Sequence, residues 1–102
     1  MVYTGSKSVT NAGTRVALAS ARTMADWVNV QANEATPGGQ TANTKAIFLG
    51  DKTVAAANGI ILLPGDAFPY PPVSGATMYN LAEIYIDSEA NGDGVRFIYG
   101  RK

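Results

Sequence analysis

Side chains alternate between two faces through residues 81–100, and this alternation constrains the chain more than any other feature. In LAEIYIDS, Leu81, Glu83, Tyr85 and Asp87 fall on one side, with Ala82, Ile84 and Ile86 on the other; in VRFIYG, Val95, Phe97 and Tyr99 oppose Arg96 and Ile98. Successive strand side chains point to opposite faces, so a period of two is the mark of a half-buried strand. The intervening Asn91-Gly92-Asp93-Gly94 tolerates positive φ and predicts a reversal, hence a β-hairpin over residues 81–100. Two strands with apolar faces are not stable alone and require a second layer to cover them.

Earlier segments offer that layer. Residues 13–20 (GTRVALAS) read as a short strand, with Val16 and Leu18 against Arg15, Ala17 and Ala19. Residues 26–33 place Val28, Val30 and Ala32 on a core face and Trp27, Asn29 and Gln31 on a more polar one. Residues 44–50 form a strand with Ile47 and Leu49 opposite Phe48; residues 53–56 suggest a weak strand, and 60–63 (IILL) a buried one. Pro-Gly-Gly within 34–43, Asn58-Gly59 and Pro64-Gly65-Asp66 mark turns and loops. Residues 67–77 carry three prolines, each lacking a backbone donor, which predicts a semi-rigid surface loop presenting Phe68, Tyr70 and Val73. Residues 1–12, including Tyr3, are polar and predict an extended arm, either a frayed terminus or a segment reaching across a neighbouring subunit. The expected architecture is all-β: one small antiparallel β-sandwich over residues 13–102, jelly-roll-like, preceded by the arm 1–12.

Bulk properties narrow the function. A chain of 102 residues suits one domain. Lys+Arg and Asp+Glu are 8 each, which argues against nucleic acid or an anionic membrane as partner and leaves self-association open. Cys and His are both absent. That removes the thiol nucleophile, Ser/His/Asp catalysis and the commonest metal ligand, so neither an enzyme nor a cupin-like metalloprotein is expected. No apolar run approaches a membrane span, and the N-terminus lacks the apolar core of a Sec signal.

Few motifs suggest chemistry. Residues 87–93 (DSEANGD) match the first half of an EF-hand loop, but the twelfth position, which needs a bidentate Glu, is Ile98. A solvated turn is the expectation, with no metal and no cofactor. Gly50-Asp51 and Gly65-Asp66 lack the strand–loop–helix setting of a phosphate site. Asp26, Glu34, Asp66 and Glu83 offer carboxylate pairs in principle, as do any eight acids.

The order GTRVALAS, WVNVQA, an aliphatic strand ending in LGD, NGIILLPGDAF, LAEIYIDS and NGDGVRFIYG resembles a family of small tailed-bacteriophage virion proteins. The resemblance implies a capsid decoration (cement) or other head-associated protein with a sandwich fold and no catalytic residues. The partner it implies is the major capsid protein, bound by a homo-oligomer, expected as a trimer, on the capsid exterior after synthesis in the host cytoplasm. Contacts are expected from the arm with Tyr3, from Trp27, and from the loop 68–75 with Phe68, Tyr70 and Val73; the proline-rich insert departs from the family's pattern. A second reading is the receptor- or carbohydrate-binding head of a tail or surface fibre, with Trp27, Tyr70 and Tyr79 stacking on sugar rings.

Overall fold

The structure, a computed structural model, describes residues 1–34, 42–72 and 79–101. Ten strands follow in order: β1 (Val2–Ser8), β2 (Val16–Ala17), β3 (Met24–Ala25), β4 (Trp27–Ala32), β5 (Ile47–Gly50), β6 (Ile60–Leu62), β7 (Ala67–Tyr70), β8 (Tyr79–Asn80), β9 (Tyr85–Ser88) and β10 (Gly94–Gly100). A 3-10 turn at Leu81–Glu83 is the one helical element among the described residues, and no helix there is long and apolar enough to cross a membrane.

Two four-stranded antiparallel sheets face each other, in the orders β1-β10-β4-β7 and β2-β9-β5-β6, while β3 and β8 form a small two-stranded bridge. Apart from that bridge, the outermost pairs are nested: β1 with β10, β2 with β9, β4 with β7, β5 with β6. A long hairpin rolled over on itself produces this order, which is that of a jelly roll. The expected all-β sandwich is therefore present. Between the sheets lie Val28, Val30, Val95 and Phe97 from one side and Ile47, Leu49, Leu62 and Ile86 from the other. Alternation in β4, β5 and β10 sorts these residues as the sequence predicts.

Several expectations are corrected. Residues 81–100 are not a hairpin, because β9 and β10 belong to opposite sheets. Period two reports that a strand has one buried face; it is silent about the neighbour that pairs with it. The reversal is an arch instead: Gly92 has φ +87, while no non-glycine residue among those described has positive φ, so the two adjacent positive-φ residues of a type I′ turn are missing. Residues 1–12 are extended over Val2–Ser8 and bend at 10–12, and they are not a free arm, since Val2–Ser8 pairs with β10 along its full length. The run at 60–63 is not buried. As the edge of its sheet, β6 buries only Leu62, opposite Ile47; Ile60 shares that face but lies 48% exposed opposite Leu49, and Ile61 and Leu63 are 58% and 56% exposed. Part of the proline-rich loop is strand β7, tolerated because an edge strand can turn a proline's missing N–H away from the ladder. Residues 53–56 form no strand. Val54 instead folds back over the outer face of β5 and makes a second apolar cluster with Ala46, Phe48 and Tyr85.

Candidate functional site

Polar residues at one end of the sandwich hold the layers together. Asp93, at the end of the β9–β10 arch, is buried and accepts bonds from the backbone N–H of Thr44 (3.1 Å) and Lys45 (2.9 Å). Asn43 is buried beside it and grips Gly94 twice, its Nδ2 donating to the Gly94 carbonyl and its Oδ1 accepting from the Gly94 N–H, both at 2.8 Å. Asp87, also buried, accepts from the N–H groups of Gly13 (2.9 Å) and Ser88 (2.8 Å). Val9 donates its N–H to the Asp93 carbonyl (2.8 Å) and accepts from Gly92 (2.7 Å), which stitches β1 to the arch. The residues that resembled half a calcium loop thus serve as acceptors for backbone amides from three separate segments. Among the described residues, no group of three or more His, Cys, Asp or Glu is placed to hold a metal ion.

At the exposed loop 51–58, the Asp51 carboxylate accepts from the Thr53 hydroxyl (2.6 Å) and the Thr53 N–H (2.8 Å). These bonds favour the charged form, the hydroxyl first, and hold the carboxyl below its ordinary value of 3.8. A folded value below the unfolded one means a contribution to stability that is present above pH 3.8 and lost as the pH falls through the lower, folded value. Titrating the Asp51 carboxyl carbon by NMR should give a midpoint below 3.8, and Thr53→Ala should move it back toward 3.8; an unmoved midpoint would show that the hydroxyl does not control it.

The residues expected to make contacts do not form one surface. Tyr3 lies in β1 with its ring stacked on Tyr99, centroids 5.2 Å apart. Phe68 and Tyr70 alternate with Pro69 in β7 and face inward, edge to face at 5.2 Å; Tyr70 meets Tyr79 at 5.3 Å, and the Tyr79 hydroxyl donates to the Pro71 carbonyl at 2.7 Å. Burial, then the neighbouring Tyr79, pushes the Tyr70 phenol above its ordinary value. Trp27 is on the other face of the same sheet, lying across Gly100, where a β-carbon would collide with the indole. Trp27 therefore shares no platform with Tyr70 and Tyr79. Val73 falls outside the described residues.

Two surfaces were not anticipated. Ile61 and, just beyond β6, Leu63 are exposed at the sheet edge, and Ile60 is half exposed on the strand's other face. The signal was the run IILL, which reads equally as core or as contact surface until the strand order is known. The outer face of the β1-β10-β4-β7 sheet holds an open depression of about 500 Å³, lined by Thr4, Asn29, Gln31, Arg96 and Ile98 among others. Alternation had placed Asn29, Gln31, Arg96 and Ile98 on outward faces without bringing them together. Comparison with protein-family models, curated proteins and solved structures finds no match, so the strand order stands as the description of the fold.

Proposed function

We propose that this protein is a structural, non-catalytic virion component: a decoration or cement protein that binds the assembled head of a tailed phage from outside as a homo-oligomer, with a trimer implied by the sequence resemblance. The observation that carries the reading is the exposed aliphatic edge at β6, where Ile61 and Leu63 are more than half exposed and Ile60 is about half exposed on the other face of the same edge strand. Contiguous exposed apolar surface marks interaction sites. The buried carboxylates Asp87 and Asp93 are meanwhile occupied in holding backbone amides. By analogy of fold alone, jelly rolls recur in viral capsid and lectin domains. A protein that binds the assembled lattice but not its separated subunits stabilises the shell by mass action, and each occupied site adds to the total.

The test is co-sedimentation with expanded, empty heads of the phage that encodes the protein. Wild type should pellet with the heads. Ile61→Glu/Leu63→Glu, which changes two exposed side chains, should bind at least about tenfold more weakly, as expected when charge enters a desolvated apolar contact, and should melt at the same temperature. Wild type left wholly in the supernatant would reject the reading.

The outer depression with Thr4, Asn29, Gln31 and Arg96 favours the second reading, a carbohydrate- or receptor-binding head, because convergent amides, a hydroxyl and a guanidinium in an open concavity suit sugar hydroxyls. Binding of the free protein to a glycan array would support it.

A further inference from the structure

Each sheet of an open sandwich has two edges, and three of the four here are blunted. β2 has two paired residues and β6 three; β7 contains Pro69 and runs into Pro71-Pro72. Short strands and prolines are what proteins use to keep edges from pairing. The fourth edge, β1, is seven residues long, has no proline and pairs without interruption along its inner side.

The direction of its free groups follows from the ladder. Met1 and Arg101 exchange both backbone bonds, and Val9 donates to Asp93. Antiparallel pairing alternates, so Tyr3, Gly5 and Lys7 also bond toward β10, whereas Val2, Thr4, Ser6 and Ser8 turn their N–H and C=O to the open edge.

We infer that β1 is a homotypic assembly edge: β1 of a second copy of this chain pairs with it antiparallel about a two-fold axis at Gly5, joining two four-stranded sheets into one of eight. This goes beyond the proposed function and does not depend on it. The strand is self-complementary in that register. Val2 of each copy faces Ser8 of the other and Thr4 faces Ser6, which brings every outward N–H opposite an outward C=O. Any other register leaves part of the strand unpaired. Lys7 falls opposite Tyr3 and never opposite another Lys7, so no like charges meet, and Thr–Ser pairs are favourable across strands. The formal net charge of +0 adds no long-range repulsion between copies.

Sedimentation velocity across a concentration series, with amide exchange at both ends of it, tests the inference. Wild type should pass from monomer to dimer, with the Thr4 and Ser6 amides protected only in the dimer. Both side chains are exposed, so they can be changed without touching the core. Thr4→Glu/Ser6→Glu places like charges opposite each other twice and should weaken the dimer by about tenfold or more. Thr4→Lys/Ser6→Glu places opposite charges there and should restore it, with the same melting temperature in all three proteins at dilutions where each is monomeric. A protein that stays monomeric at millimolar concentration would overturn the inference. So would an oligomer of any size that leaves the Thr4 and Ser6 amides unprotected, or two double variants that associate equally.

Discussion

Asp93→Ala should cost about 3 kcal/mol of folding stability, out of a total that for domains of this kind is roughly 5–15 kcal/mol. Asp93 is 5% exposed, and its carboxylate receives the N–H groups of Thr44 and Lys45, with the Thr44 hydroxyl at 3.4 Å. Bonds to a charged acceptor contribute about 1.5–3 kcal/mol each, and donors left without a partner carry their desolvation penalty. Thr44 and Lys45 are themselves exposed residues, so water can recover part of that penalty, which is why the sum is set near the lower end. In a chain of this length 1 kcal/mol moves the melting temperature by about 4–8 °C, so the variant should melt roughly 15 °C below wild type. Asp93→Asn keeps the size but turns an N–H₂ toward one of the two amides, and about half the loss is expected. Asp66→Ala is the control: an exposed carboxylate that accepts a single bond, from Leu63 N–H at 3.1 Å, should cost below about 1 kcal/mol. Urea unfolding followed by Trp27 fluorescence gives all three values. A loss under about 1 kcal/mol for Asp93→Ala would mean that the arch is held by its apolar neighbours and not by this clasp.

Much of the local structure was legible because alternation is a local property. Val28, Val30 and Ala32, then Ile47 and Leu49, then Val95 and Phe97 fall on the faces their spacing gives them. The pairing of strands was not legible, because in a jelly roll consecutive strands mostly change sheets and their partners lie far away in sequence. β1 meets β10 across almost the whole chain, and a polar, glycine-containing segment such as VYTGSKS carries no sign of that partner. Strand order also decides which apolar residues are exposed. Ile61 and Ile47 look alike in sequence, yet Ile61 is 58% exposed on an edge and Ile47 is 0% exposed in the second position from it. Of the candidate contacts, Phe68 and Tyr70 were brought together with Tyr79, but Trp27 was separated from them by the thickness of a sheet, which one strand's pattern cannot reveal.

Gly94→Ala should be at least as damaging, for a steric reason. A β-carbon at Gly94 would sit 2.9 Å from the Ser8 Cα and closer still to the Lys7 carbonyl oxygen. Both are backbone atoms of β1, so no side-chain rotation can relieve the contact. The neighbours on the other side are equally fixed, since Asn43 holds the Gly94 N–H and carbonyl at 2.8 Å each. Either β1 lifts from β10 and gives up the Val9 bonds to Asp93 and Gly92, or Gly94 shifts and loses Asn43; overpacking with so little room to relax costs about 3 kcal/mol or more. Gly92 and Gly13 provide the comparison. Nothing lies within 4 Å of a β-carbon at either, and only their φ of +87 opposes a side chain, so Gly92→Ala and Gly13→Ala should each cost about 1–2 kcal/mol. The three variants therefore separate close approach from backbone conformation. If Gly94→Ala remains folded, β1 is the element that yields, and the amides of Tyr3, Gly5 and Lys7, bonded toward β10, should exchange faster before any change at Val28 or Val30. Uniform acceleration across all strands would instead place the strain on the Asn43 side of the arch.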